Sequence, residues 1–167
     1  RLIGNLRTAL PHLLGETITG RCEYHSALAE RLHVGDVVVS LNYDCVMDDV
    51  FREHGGFRFD PDRGGYGLDV QSGAADWRKS GRGKRAKGSI LLLKLHGSLN
   101  WRGPAVPLRL RKEPYESVAD GVIAPPLTNK PVTEEPFRTI WREARTAVRR
   151  MRRLVIVGYS MPDADGL

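Results

Sequence analysis

Three short stretches place titratable or hydrogen-bonding side chains directly after apolar runs, where they could carry acid–base chemistry or hold a polar ligand. In Ser89-Ile-Leu-Leu-Leu-Lys-Leu-His-Gly-Ser-Leu-Asn-Trp101 the run from Ile90 to Leu95 is apolar except at Lys94 and stops at His96 and Gly97. An imidazole titrates near neutral pH, so His96 is a candidate general base. The structural alternative for a single histidine is a buried ring satisfied by a backbone carbonyl. Gly97 permits a sharp turn and lets a ligand approach the backbone closely. Ser98, Asn100 and Trp101 offer two hydrogen-bonding side chains and a flat apolar wall. Asn42 and Asp44 follow a second apolar run, and Gly158, Tyr159, Ser160 and Asp165 follow a third. A glycine followed by a hydroxyl at a strand exit suits close approach to a phosphate or ribose.

The elements that must position these groups follow from the pattern. Ile90–Leu95 is too short for a helix and reads as a strand buried on both faces of a parallel sheet. Asp36–Leu41, rich in β-branched residues, and the fully apolar Leu154–Val157 read the same way. In an open α/β sheet, ligands bind at the carboxyl ends of the strands, where the loops diverge. Three polar clusters at three such ends are hard to attribute to packing alone and together describe the crevice of a nucleotide-binding sheet. Helices are expected over Cys22–His33, with Gly35 as the C-terminal cap, from Val46 up to Gly55-Gly56 with Val46, Met47, Val50 and Phe51 inward, and from about Glu135 to Arg152. The last carries an inner stripe of Phe137, Ile140, Trp141, Ala144, Ala147, Val148 and Met151. Residues 1–20 support only a loose helix, 55–88 read as a long insertion loop, 102–120 as irregular, and 121–126 as a short strand ended by a proline pair. The fold class is therefore α/β, a Rossmann-like, open and mostly parallel sheet with flanking helices.

A chain of 167 residues suits one domain with an adequate core, so residues 1–167 are taken as a single domain. It begins with arginine and ends just after a motif, and a longer parent chain is expected. Apolar content of 41% and charged content of 28% are those of a globular protein, and no run approaches the ~20 residues of a membrane span. Two cysteines, Cys22 and Cys45, make neither a disulfide framework nor a paired metal-ligand pattern, which favours a reducing, cytoplasmic setting. The net charge of +6 is concentrated at residues 78–87 and in the arginines between 138 and 153, which together hold half of the 26 lysines and arginines. Without interleaved aromatics the first stretch reads as solvated, and specific nucleic-acid binding is not expected.

The motifs resemble those of the sirtuin-like domains of the silent information regulator superfamily. Ser40-Leu41-Asn42-Tyr43-Asp44 resembles that family's Thr-Gln-Asn-Ile-Asp signature, Leu95-His96-Gly97 its His-Gly, and Gly158-Tyr159-Ser160 its Gly-Thr-Ser, in the same order. The variant forms are most similar to a bacterial sirtuin-like branch found in immune and antiphage effectors. The resemblance covers residues 36 to 165.

What the resemblance implies is NAD binding and cleavage of the nicotinamide glycosidic bond. Asn42 would hold the nicotinamide ribose or an attacking water, Asp44 the carboxamide, and His96 would be the base. Gly97, Ser98, Gly158, Tyr159, Ser160 and Asp165 would line the cofactor site, with Ser160 towards the adenosine. Two departures refine this. Leu41 stands where the family has glutamine, and the family's Gly-rich phosphate loop has no counterpart in residues 1–35, so the N-terminal part of the fold is expected to be missing. Protein-deacylating relatives carry a four-cysteine zinc module after the histidine. Here both cysteines precede His96, so no zinc or other metal is expected and plain NAD hydrolysis is favoured. A non-catalytic NAD or ADP-ribose sensor and an NAD-dependent deacylase or ADP-ribosyl transferase are the competing readings. A fused or associated sensor domain outside this chain is an expected partner, and homo-oligomerisation is left open.

Overall fold

The apolar run at Leu91 finds its hydrogen-bonding partner in the β-branched run at Val37. In the computed structural model, which describes residues 2–18, 22–54, 59–71, 89–103, 108–110, 121–124 and 133–158, β1 (Val37–Ser40) and β3 (Leu91–Lys94) pair in parallel. The register sets Val37 against Leu91 and Ser40 against Lys94, so the two strands end side by side. Every residue of β3 is buried, as expected of a parallel strand covered on both faces. Helices α2 (Glu23–Arg31), α3 (Val46–His54) and α4 (Phe137–Arg150) flank this pair. Ala29, Met47, Val50, Phe51, Ile140 and Ala144 join Leu91, Leu92 and Leu93 in one core. Each large apolar side chain so buried contributes about 1.5–3 kcal/mol relative to exposure. Helix α1 (Leu2–Thr17) runs through Pro11, and its Leu10 and Leu14 cover a smaller cluster of Cys45, Leu99 and Ile123.

A second sheet has the order β2 (Val70–Gln71), β5 (Leu108–Leu110), β4 (Gly97–Arg102), β6 (Gly121–Ile123). The pairing of β2 with β5 is parallel, while β4 runs antiparallel to both β5 and β6. The chain therefore leaves β3, turns at Leu95-His96 and enters β4 at once. Gly97 takes φ +84°, and a Cβ there would collide with the backbone carbonyl of Val122 on β6. Only glycine fits this reversal. The mixed α/β class with a parallel sheet and flanking helices is the one the sequence implies.

Several local expectations need correction. Ser98, Asn100 and Trp101, expected to offer side chains to a ligand, lie within strand β4, and residues 102–120, read as irregular, contain β5, whose Leu-Arg-Leu is too short to show an alternation. Within the supposed insertion over 55–88, Phe59, Tyr66, Leu68 and Val70 are buried core residues. Their large side chains are spaced by glycines and prolines, which hides them from a periodicity test. Phe51 stacks on Phe59 with centroids 5.1 Å apart, and Tyr66 meets Phe59 and Trp101 edge-on at 5.2 Å each. The basic stretch 78–87 lies outside the described residues.

The third expected strand, Leu154–Val157, lies in neither sheet, and its four side chains are 49–71% exposed. Val148 and Met151, assigned to the inner stripe of α4, are exposed as well, whereas Phe137, Ile140 and Ala144 are buried. An apolar run states that a strand can be buried on both faces. It does not supply the neighbouring strand, and none pairs with 154–157 among the described residues.

Candidate functional site

The exit of β1 is pinned to the turn after β3 by three backbone carbonyls. Leu41 O lies 3.0 Å from His96 Nδ1, Tyr43 O accepts from the Leu99 amide at 3.0 Å, and Asp44 O accepts from Lys94 Nζ. Tyr43 extends the clamp by donating its hydroxyl to Ala124 O at 2.7 Å, and the Ala124 amide in turn donates to His96 O at 2.8 Å. The Tyr43 ring lies tilted against the imidazole with centroids 6.1 Å apart. Adjacent ends of β1 and β3 thus bring Asn42, Asp44 and His96 together, as the strand-exit argument requires.

A carbonyl oxygen can only accept, so Nδ1 of His96 carries the proton it donates to Leu41. That bond fixes the tautomer and places the basic lone pair on Nε2. Such an imidazole is chemically suited to take a proton from water or a hydroxyl. The ring is buried, 4% exposed, whereas Asn42 is exposed, with its backbone amide donating to Ser40 Oγ at 3.2 Å. Asp44 Oδ1 accepts from the Val46 amide at 3.0 Å, where α3 begins. A carboxylate at a helix N-terminus meets the positive end of the dipole.

Beneath this layer lies a buried polar network absent from the sequence expectations. Lys94 Nζ and Asp48 Oδ2 are 3.0 Å apart, each side chain 2% exposed. The other oxygen of Asp48 accepts from the Tyr66 hydroxyl and from Asn100 Nδ2, the latter at 3.3 Å. Burial alone would push the lysine down, but the charges of Asp48, Cys45 and Asp44 and the hydrogen bond to Asp48 outweigh it and hold Lys94 above its ordinary range. Burial, reinforced by Asp48, drives the Tyr66 hydroxyl well up. Burial likewise pushes the Cys45 thiol up to about 12. A single charge inside an otherwise apolar strand was the available signal, because a buried ammonium demands a buried counter-charge. What the sequence did not show was which acid supplies it.

Of the residues singled out by sequence, Asn42, Asp44, His96 and Gly97 share one corner of the molecule. Ser98 does not face an opening. It is fully buried with Oγ 3.7 Å from Cys45 Sγ, because it sits inside β4 rather than in a loop. Asn100 and Trp101 are also core residues, bonded to Asp48 and packed on Tyr66 respectively. Gly158 has φ +62° and is exposed, and Tyr159, Ser160 and Asp165 lie outside the described residues. Among the described residues no group of three or more His, Cys, Asp or Glu side chains is placed to hold a metal ion, and no helix is long and apolar enough to cross a membrane.

No curated protein and no solved structure matches the chain. A family model described as SIR2-like domain matches residues 36–166, a span that starts just before β1 and takes in the pinned strand exit, the His96-Gly97 turn and the Gly158 stretch. With both the span and the order of its motifs accounted for, the chain belongs to the SIR2-like domain family.

Proposed function

We propose that the domain binds NAD and hydrolyses the bond between nicotinamide and ribose, releasing nicotinamide and ADP-ribose. Membership of the SIR2-like family supports an NAD-related function. The observation that carries the hydrolytic reading is the His96 imidazole, fixed in one tautomer by the carbonyl of Leu41, the residue before Asn42. In this scheme a water oxygen bonds to the ribose anomeric carbon as the glycosidic bond breaks. Nicotinamide leaves as a neutral amine with the bonding pair, and the water proton passes to Nε2 of His96. Departure from a positively charged ring gives a transition state of oxocarbenium character that needs little acid catalysis. Asn42 orients the ribose or the water, and the second oxygen of Asp44 accepts from the carboxamide. Gly97 makes the tight turn that sets His96 at the end of β3, while Gly158, Tyr159, Ser160 and Asp165 serve the phosphate and adenosine side. The setting that fits this activity is an effector domain of bacterial antiphage defence, acting in the cytoplasm under a sensor elsewhere in its parent protein.

A second reading, a domain that binds NAD or ADP-ribose without cleaving it, draws on the burial of His96. Nicotinamide release from NAD by the full-length protein tests both. Release supports hydrolysis, tight binding without release supports the sensor, and neither binding nor release removes both.

A further inference from the structure

Lys94 is the last residue of β3, two positions before His96, and Asp48 lies in the first turn of α3, four positions after Asp44. Their ion pair therefore joins the element that carries the imidazole to the element that follows Asn42 and Asp44. We infer that Lys94 and Asp48 are positioning residues for the site: the buried ammonium holds the Asn42–Asp44 turn in register with His96 through the Asp44 carbonyl. This inference rests on the hydrolytic reading for its effect on turnover, but not for its effect on the turn itself.

Burial of an ion pair is costly, and apolar residues of similar volume often give equal or greater stability. Core filling alone thus does not require this pair. A hydrophobic replacement could not do what Lys94 does here, which is to donate at once to a carboxylate and to a backbone carbonyl of the strand-exit turn. The Asp48 carboxylate in turn receives Lys94 on one oxygen and Tyr66 with Asn100 on the other. With its carboxylate partner anchored in this way, the lysine aims its second donation at Asp44 rather than averaging it over rotamers. The turn is also held through the Leu41 and Tyr43 carbonyls, the Tyr43 hydroxyl, the Asn42 amide and the Asp44 carboxylate.

The test is made in the full-length protein with Lys94→Met and with Lys94→Met/Asp48→Asn. The single variant leaves a buried carboxylate without its counter-charge and is expected to melt well below the parent. In the double variant both charges are gone, the amide introduced by Asp48→Asn keeps an acceptor for Tyr66, and the melting temperature should return most of the way. If the pair positions the turn, the double variant still shows several-fold faster amide hydrogen exchange at Val46 and Leu99, whose acceptors lie in the turn, without faster exchange in β1 and β3. Its kcat falls by ~10²-fold with little change in KM, the signature of misplaced reacting groups. A restored double variant with parental exchange at those two amides, or with parental kcat, overturns the inference and leaves the pair a core element. If the parent releases no nicotinamide, the hydrolytic reading fails separately, and the exchange measurement alone decides whether the pair holds the turn.

Discussion

His96 Nδ1 and the carbonyl oxygen of Leu41 lie 3.0 Å apart, although 55 residues separate them in the chain. This bond is a structural restraint that also leaves Nε2 as the unprotonated ring nitrogen, so on the proposed hydrolytic reading replacing the histidine has two separable effects. His96→Ala leaves the Leu41 carbonyl without that donor and is expected to cost about 1–3 kcal/mol of stability. Under conditions where the variant is still folded, nicotinamide release should fall by a further ~10²- to 10⁴-fold, the usual contribution of general acid–base catalysis. Melting curves and single-turnover nicotinamide release on the same samples separate the two. A loss of activity that merely tracks the folded fraction makes His96 a core residue.

Asn42 provides the complementary case. Its side chain is exposed, and its backbone amide, which alanine retains, makes the bond to Ser40 Oγ. Asn42→Ala should therefore leave stability within about 0.5 kcal/mol of the parent, as for other surface positions. Turnover should nevertheless drop by ~10²-fold, because a displaced ribose or water loses the reacting geometry. Parental turnover in this variant would detach Asn42 from the chemistry.

At Gly97 the expected effect is steric. Gly97→Ala would combine a backbone of φ +84° with a Cβ driven into the Val122 carbonyl. A left-handed conformation alone costs about 1–3 kcal/mol for a residue with a side chain. Since the collision is with backbone rather than with a movable side chain, the β4–β6 pairing must shift too. Denaturant unfolding should show a loss beyond the low end of that range. Reduced turnover should accompany it, because the same turn carries His96.

The parallel pairing of β1 with β3, and with it the placing of Asn42, Asp44 and His96 just beyond adjacent strand ends, was legible because both depend on local pattern: short apolar runs and the polar residues that end them. The structural alternative for His96, a backbone carbonyl as partner, was legible too, and the structure realises it at Leu41. The Asp48–Lys94–Tyr66 network was not, because it joins α3, β3 and the segment after Phe59, and pairings over such separations leave no periodic trace. Lys94 alone announced that some counter-charge was needed. The failure at Leu154–Val157 has the opposite origin. There the pattern is ideal, but a strand also needs a partner edge, and pairing is a property of the assembled sheet rather than of the run.

The final expectation concerns pH. Burial raises the Cys45 thiol from an ordinary value of 9.0 to about 12, so between these values the unfolded chain releases a proton that the folded chain keeps. Stability from this group is fully present below pH 9.0 and is lost as pH rises towards 12. Tyr66, raised from 10.0 by burial, acts in the same direction from that pH upward. Melting temperature should thus decline steadily on the alkaline side, and Cys45→Ala should flatten the early part of that decline without abolishing it, since Tyr66 still contributes. The same protonated, buried thiol should resist alkylation at pH 8 in the folded protein, while Cys22, half-buried near the start of α2, reacts first. Mass spectrometry of the alkylated protein reads which cysteine is labelled. Rapid labelling of Cys45 under folding conditions, or an alkaline melting profile unchanged by Cys45→Ala, would show that the thiol is not held as the structure places it.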